Sequence, residues 1–369
     1  MKIAIIGTRG IPNYHGGFEQ FAEYFSVYLV KKNHEVCVYN SSDHPYQKPT
    51  WKGVNIIHKM DPEKQIGTAG QFIYDLHCII DCRKRGFDVI LQLGYTSSSI
   101  WGWLLPKKAI VITNMDGLEW KRSKYSRPVR RFLKFAEKLA VKTSDYLISD
   151  SIGIKEHLKT SYKVDSEYIA YGADLFSTPS EQLLVEYGVD KFNYNMLIAR
   201  LEPENNIEVI LDGVVKSTSD QIFLVIGKHE TKFGNYLKNK FKNYSTIRFL
   251  GGIYNLEHLN NLRHWSNLYF HGHSVGGTNP SLLEAMASSC FVIAHDNVFN
   301  RSILRENAFY FNNENDIVER MGLTKKDHIG LVQKNMDKIQ NEFNWQRINQ
   351  QYEQFIIDSC KVRKSEILK

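Results

Sequence analysis

No stretch of this 369-residue chain stays apolar for the 18 or so residues that a membrane-crossing helix needs. Its first ten residues, MKIAIIGTRG, meet Gly7 and Arg9 too soon for the apolar core of a secretory signal. They read instead as a first strand and its turn. The five cysteines (Cys37, Cys78, Cys82, Cys290, Cys360) are an odd number without zinc-type pairing, so a reducing, cytoplasmic compartment is expected. No segment repeats at a period of 20–50 residues and no low-complexity tract appears. No D-x-D signature for a divalent metal stands in a plausible loop. Acids are scarce in one place: residues 121–142 hold nine Lys or Arg and a single carboxylate, Glu137, for a local charge of +8 in a chain whose net charge is +7. A nucleic-acid binder spreads its basic residues over a domain face. One basic stretch does not fit that class.

What is present is an alternation of short apolar runs and longer amphipathic segments, which predicts α/β architecture with parallel sheets wrapped by helices. Strands are expected at Lys2–Ile6, Val36–Tyr39, Val54–His58, Val89–Leu91, Ala109–Ile112 and Tyr146–Ile148. A second series follows at Met196–Ile198, Ile222–Ile226, Ile247–Leu250, Leu268–Phe270, Phe291–Ala294 and Ala308–Tyr310. Phe18, Phe21, Ala22, Phe25 and Leu29 recur at helical spacing and predict a helix after the first strand. Trp345, Ile348, Tyr352 and Phe355 predict a closing one. The turn-rich stretch 170–194 separates the two series. The boundaries expected are an N-terminal domain over 1–175, a C-terminal domain over 176–343, and a helix over 344–369 that crosses back to the first. Two doubly wound domains facing each other bind ligands at the carboxyl ends of their strands.

Three stretches carry chemistry. In GTRGIPNYHGGFE, Gly16 and Gly17 open a helix whose amides can approach an anion without an intervening Cβ. The G-x-G-x-x-G spacing of a dinucleotide site is missing there, and the second strand ends in Tyr39-Asn40 rather than an acid. In HGHSVGGTNPSLLEAMASS, residues 271–289, Thr278 or Asn279 caps a helix that Pro280 starts, and Gly276 and Gly277 leave its amides open to a diphosphate. Glu284 lies one turn further on, where a carboxylate accepts hydrogen bonds from vicinal hydroxyls; a first-turn acid complementing the helix dipole is the plainer explanation. Arg200 closes the strand of the second series that begins it. Its guanidinium can grip phosphate oxygens, unless it merely pairs with Glu202 or Glu204.

Together these stretches resemble the retaining glycosyltransferases of family 4, along with IAYGAD at Ile169–Asp174 and the W-x-x-I-x-x-x-Y-E helix at Trp345–Glu353. The start of the chain and NMDGLEWKRSKYS at Asn114–Ser126 are most similar to the bacterial rhamnosyltransferase-like subgroup, whose members build surface polysaccharides on lipid carriers, commonly from dTDP-rhamnose. The resemblance implies the GT-B fold: two facing Rossmann-like domains with an inter-domain cleft. It implies a nucleotide-sugar donor, a lipid-diphosphate-linked saccharide acceptor and no divalent metal or other cofactor. It assigns Gly16 and Gly17 to the donor phosphates, Arg200 to the departing diphosphate and Glu284 to a ribose-type hydroxyl. Backbone amides of Gly276, Gly277, Thr278 and Asn279, with Pro280, Ser281 and Leu282 behind them, would line the phosphates. Lys228 would add charge, and Gly252 and Tyr254 would receive the base.

This sequence departs from the family twice. Asn205 stands where a Lys is usual, and Gly276 where a Glu is usual. His273 is a candidate replacement donor, and the loss of an acid at Gly276 suits a 6-deoxy sugar. Asp116 is the candidate acceptor-side acid, with Glu119 as its rival, and a turn role before Gly117 is the alternative. In the basic stretch, Val129, Phe132, Leu133, Ala136 and Leu139 are expected to face inward. That leaves Arg127, Arg130, Arg131, Lys134 and Lys138, with Lys142, toward an anionic inner-membrane surface or simply toward water. Same-fold alternatives are a UDP- or GDP-sugar donor and a sugar-nucleotide epimerase; a non-catalytic membrane-bound module is a third.

Overall fold

The computed structural model describes every residue except His15, Asp116, Ser123, Leu368 and Lys369, and the side chains of residues 364–367. Two compact units emerge. The first comprises Met1–Trp120, Arg127–Ala170 and Trp345–Lys369; the second comprises Lys121–Ser126 and Tyr171–Asn344.

The first unit holds an eight-stranded sheet: β1 (Lys2–Ile6), β2 (Glu35–Ser41), β3 (Thr50–Trp51), β4 (Val54–Lys59), β5 (Val89–Leu93), β6 (Ile110–Asn114), β7 (Tyr146–Ser149) and β8 (Glu167–Tyr168). Their order is β3-β4-β2-β1-β5-β6-β7-β8, parallel throughout except for β3 against β4. Buried on both faces, β1 and β5 read as continuous apolar runs because helices cover both sides. The strand order reverses between β1 and β5. Loops there, at Gly7–Arg9 and Gly94–Ser97, lie at a topological switch point, where open α/β sheets bind ligands. Gly7 makes the turn feasible: its φ is +81°, and a Cβ would fall 2.3 Å from the Leu93 carbonyl oxygen. Gly7→Ala is expected to lower the thermal midpoint by about 5 °C or more, since strain and clash together exceed roughly 2 kcal/mol; an unchanged melting curve would refute this.

The helix Gly17–Lys31 buries Phe21, Ala22, Phe25 and Leu29. The closing helix Trp345–Ile367 packs on it: Trp345 stacks on Tyr24 at 4.5 Å, Tyr352 meets Phe21 at 4.5 Å, and Tyr28 donates to Glu353 at 2.7 Å. The last helix thus belongs with the first unit. The chain passes into the second unit at Tyr171, a few residues before the expected boundary at 175.

The second unit holds six parallel strands: β9 (Tyr194–Ile198), β10 (Ile222–Ile226), β11 (Ile247–Gly251), β12 (Tyr269–His271), β13 (Val292–His295) and β14 (Phe309–Phe311), in the order β11-β10-β9-β12-β13-β14. Leu197, Phe223, Val225, Phe270 and Ile293 from the strands meet Ile210, Leu211 and Val214 of the helix Ile207–Lys216 in one core. The order reverses between β9 and β12. Arg200 follows the first of these strands and His273 the second.

Candidate functional site

At the second unit's switch point two loops are laced together. Glu204's carbonyl accepts from Ser274 N at 3.1 Å and from its Oγ at 2.7 Å, and Asn206 Nδ2 donates to the Gly272 carbonyl at 2.8 Å. Gly272 is required there, because a Cβ would lie 2.0 Å from the Asn205 carbonyl oxygen. Asn205, standing where the resemblance leads one to expect a lysine, spends its amide on the Arg200 carbonyl at 2.7 Å. Arg200's side chain is exposed. Glu202 and Glu204, the acids expected to compete for it, pair instead with Lys124 at 3.9 Å and Arg122 at 3.6 Å.

Beyond β12 the chain turns through Gly276, at φ +133° with open space where a Cβ would sit, and Gly277. Asn279 caps the helix Pro280–Ala287, its Oδ1 accepting from Ser281 N at 2.9 Å; Thr278 is buried just before it. Helix amides and dipole here favour an anion. Leu282, included among the donor-site candidates, is 1% exposed and packs in the core, so its side chain meets no ligand. Ser281 Oγ is 3.0 Å from the Tyr269 hydroxyl.

Glu284 is engaged more firmly than the sequence suggests. Arg263, 1% exposed, donates from Nη2 to Glu284 Oε2 at 2.6 Å and from Nη1 to Asn260 Oδ1 at 3.1 Å. Desolvation works against that guanidinium's charge, yet Glu284 and its other neighbours hold its pKa above the ordinary arginine value. Arg263 sits in the helix Leu256–Trp265, whose other buried residues are Asn261 and Leu262, so no apolar stripe in the sequence marks it.

His273 stacks on His271 at 4.4 Å and 16°. Burial, then the neighbouring cations Arg200 and Arg122, push the His273 imidazole down to about 3; burial pushes His271 well below the usual histidine range. Both rings are therefore neutral near pH 7. Further along the sheet, Lys228 lies 5.7 Å from the Tyr254 ring, and Tyr254's side chain covers Gly252 at 3.0 Å from a would-be Cβ. Lys228, Gly252 and Tyr254 are thus brought together, with Tyr254 exposed as a flat ring on the carboxyl side of β11.

In the first unit Gly16 precedes the helix Gly17–Lys31 in extended geometry. The buried Glu19 carboxylate already occupies the adjoining turn, accepting from Arg9 N at 2.8 Å and Thr8 Oγ1 at 3.3 Å. That takes one amide away from any phosphate at Gly16 and Gly17. Asp116 lies outside the described residues, whereas its rival Glu119 begins a short turn, Glu119–Lys121. Asp75 was not singled out from the sequence. Buried beside the β5 loop and accepting from Ser97 Oγ at 2.5 Å, its carboxyl is pushed up to about 6, chiefly by desolvation. Its sequence signal is a carboxylate on the buried face of the helix Ala69–Arg85.

The basic helix, Arg127–Thr143, differs from expectation in its apolar face. Leu133 and Ala136 are buried, joined by Glu137 and Ala140, but Val129 and Phe132 are exposed and Phe135 is 53% exposed. The reason is Glu137. Its carboxylate is the buried hub for Trp120 Nε1 (3.0 Å), Tyr95 OH (3.3 Å), His157 Nε2 (2.9 Å) and Tyr162 OH (2.7 Å), and this turns the inward face toward it. Arg127, Arg131, Lys134 and Lys138 are exposed beside those rings, and Arg130 is partly so. Trp103, 73% exposed, lies in the turn Ser99–Leu104, whose Gly102 presses on Thr143 at the helix end. Among the described residues no helix is long and apolar enough to cross a membrane.

Two parallel Rossmann-like sheets, with ligand loops at each switch point, define the GT-B class of glycosyltransferase. Residues 185–342 match the model of the glycosyl transferases group 1, and residues 105–174 match a domain of unknown function, DUF1972. Residues 185–342 thus carry the domain of the glycosyl transferases group 1, and the fold is GT-B. Among solved structures it is similar to sucrose-phosphate synthase from Thermosynechococcus elongatus, at 17% identity and TM-score 0.79, covering 97% of this chain and 98% of that one. It is also similar to Alr3699/HepE from Anabaena in complex with UDP-glucose, at 13% identity and TM-score 0.77, covering 97% and 99%. A glycosyltransferase from Rickettsia africae matches at 14% identity and TM-score 0.68, covering 98% of each chain. No curated protein sequence matches.

Proposed function

We propose that this enzyme transfers a sugar, with retention of anomeric configuration, from a nucleoside diphosphate donor to a saccharide carried on a lipid diphosphate, in surface-polysaccharide assembly. The donor proposed is dTDP-rhamnose. One observation carries the reading: Arg200 and the amide-rich loop Gly276–Asn279 lie at the carboxyl ends of adjacent strands β9 and β12, where the sheet order reverses. A guanidinium there meets the charge that grows on the diphosphate as it departs, and fixed helix amides meet the rest. These groups supply positive charge without a divalent metal. The acceptor hydroxyl attacks from the face the diphosphate leaves, with Asp116 as its proposed acid-base partner. Gly276 favours a 6-deoxy sugar because no side chain there accepts from a 6-hydroxyl. A UDP-sugar donor is the second reading, favoured by the Anabaena relative described with UDP-glucose.

The test is a thermal-shift comparison of dTDP-, UDP- and GDP-sugars in chelator, followed by turnover with a lipid-diphosphate saccharide. At a hundred times its dissociation constant a true donor adds about 2.7 kcal/mol, a rise of roughly 5–10 °C. The dTDP-sugar is expected to give that rise and to turn over in EDTA. Three flat melting curves, or activity abolished by the chelator, would sink the proposal.

The membrane part of the proposal rests on the exposed Phe132 and Phe135, which alternate along the helix with the exposed Arg131 and Lys134, and on the exposed Trp103. Near an anionic leaflet each cation contributes about 1 kcal/mol, and aromatic rings favour the interface. Lys134→Glu with Lys138→Glu is expected to cut co-sedimentation with phosphatidylglycerol vesicles at least about 30-fold, and Phe135→Ser with Trp103→Ser to reduce it further. Equal pelleting of all three proteins would refute membrane docking.

A further inference from the structure

Three loops of the first unit leave the carboxyl ends of the neighbouring strands β1, β5 and β6: Gly7–Arg9, Gly94–Ser97 and the one that holds Gly117. Two consecutive residues of the helix Ala69–Arg85 tie the first two. Tyr74 OH donates to the Thr8 carbonyl at 2.9 Å, and Asp75 Oδ2 accepts from Ser97 Oγ at 2.5 Å. The second loop in turn reaches the third. Gly94 N donates to the Asn114 carbonyl at 3.1 Å, and Tyr95 OH, which also reaches Glu137, lies 3.2 Å from the Gly117 carbonyl oxygen. Gly117 follows Asp116, the proposed acid-base partner, in the chain. Asp75 thus grips the loop that holds the residue after Asp116.

A carboxylate is an unfavourable choice for this tie. Asp75 is 6% exposed, and burial outweighs the Ser97 hydrogen bond and the charge of Arg9, with Asp61 adding repulsion, so its carboxyl is pushed up to about 6. Arg9 is shared: it pairs with Asp61 at 3.3 Å and with Glu63, and its amide donates to Glu19 at 2.8 Å. Tyr74 and Cys78, on the same helix, are pushed well up by burial and stay neutral. For an acid raised in this way the fold favours the protonated form, and the stability it contributes is lost as pH rises through about 6. An asparagine would accept from Ser97 without that loss. What the carboxylate adds is a charge-assisted hydrogen bond, roughly twice as strong as a neutral one. The chain therefore keeps at neutral pH a charge that stability alone would discard, a pattern expected where function opposes stability. We propose that Asp75 is a positioning residue for sugar transfer: as a carboxylate it holds Ser97, and through the loop Gly94–Ser97 it sets the segment that carries Asp116. The proposal rests on the reading of that segment as the acceptor side of the reaction.

The test is the pH dependence of kcat and KM in the full-length protein, with dTDP-rhamnose and UDP-glucose as donors and a lipid-diphosphate monosaccharide as acceptor. The wild type is expected to lose kcat as pH falls through about 6. Ser97→Ala removes a contact that lowers the Asp75 pKa, so its fall is expected at higher pH; Ser97→Thr keeps the hydroxyl and returns the fall toward the wild-type position. In Asp75→Asn the fall near 6 disappears. Its kcat near neutral pH drops at least about tenfold, the value of one charged hydrogen bond, with little change in KM. Its melting temperature there stays at or above that of the wild type. A merely structural acid gives the reverse: Asp75→Asn melts lower and loses turnover only in step with unfolding. Should Asp75→Asn fail to fold, the two Ser97 variants still read the direction of the shift. A profile that keeps its place in Asp75→Asn and Ser97→Ala, while the wild type turns over, would overturn the inference and leave the proposed transfer standing. Wild-type protein that turns over neither donor would overturn the reading beneath it, and the inference with it.

Discussion

Arg200→Ala is expected to lower turnover by about 10²–10³-fold, the usual consequence of deleting one preorganised donor to a developing negative charge. Three features of the structure set that size. The side chain is exposed at the end of β9, so its charge is available to a ligand. Its main chain is pinned, with the carbonyl accepting from Asn205 Nδ2 at 2.7 Å and Glu202 N at 2.8 Å, so little reorganisation accompanies binding. The two nearby carboxylates pair with Arg122 and Lys124. Because the diphosphate carries more charge as it leaves than in the intact donor, kcat is expected to fall more than KM rises. Steady-state kinetics in varied donor concentration read the split. A variant with unchanged kcat and raised KM would make Arg200 a ground-state binder only.

Arg200→Lys separates charge from shape. A lysine at this position keeps the positive charge but loses the planar fork that holds two oxygens at once. Recovery of only a small part of the lost turnover is expected, measured in the same assay.

The strands were legible because parallel strands buried on both faces have no polar alternation to confuse them. All twelve strands expected from the sequence form: six are longer by one to three residues, four start one residue later, and two match at both ends. The two that were not expected, Thr50–Trp51 and Glu167–Tyr168, are two-residue edge pairings too short to leave a pattern. The loop around Gly276 and the cap at Asn279 were legible for a different reason: glycine and an Asn-Pro helix start each have a local physical meaning.

Charge was read less well. The basic stretch 121–142 looks in sequence like one helix face, but the helix starts at Arg127. Lys121, Arg122 and Lys124 precede it, and two of them pair with acids some eighty residues away. Such partnerships are made by tertiary structure and have no sequence period. The same is true of Glu137. Spacing gives no sign that a lone acid in a cationic helix is a buried hub with four donors, and so it points Val129 and Phe132 inward where the helix leaves them exposed. Its carboxyl is held below the usual range, with burial opposing the hydrogen bonds of His157, Tyr162 and Trp120. A depressed carboxyl pKa stabilises the fold at pH values above the unfolded value and loses that contribution as pH falls through the folded one.

Glu284 and Arg263 carry the second large effect, and it is asymmetric. Arg263 is 1% exposed, whereas the Glu284 side chain is 23% exposed. Deleting the glutamate strands a guanidinium in the interior with Asn260 and, at 3.4 Å, Ser281 as its remaining side-chain partners. Breaking a buried pair from that side costs about 3–5 kcal/mol. Deleting the arginine leaves a carboxylate that can turn toward water, so a smaller loss is expected from Arg263→Met. Urea unfolding of Glu284→Ala, Arg263→Met and the double variant tests this, and the double variant is expected to be more stable than Glu284→Ala alone. The cycle also decides how activity data at Glu284 are to be read. Glu284→Gln keeps an acceptor for Arg263, so it should retain more stability than Glu284→Ala while still losing charge toward a donor hydroxyl. If Glu284→Gln loses turnover with its stability preserved, the carboxylate acts on the donor directly. If turnover falls only in step with unfolding, Glu284 serves to neutralise Arg263, and the hydroxyl-binding role goes.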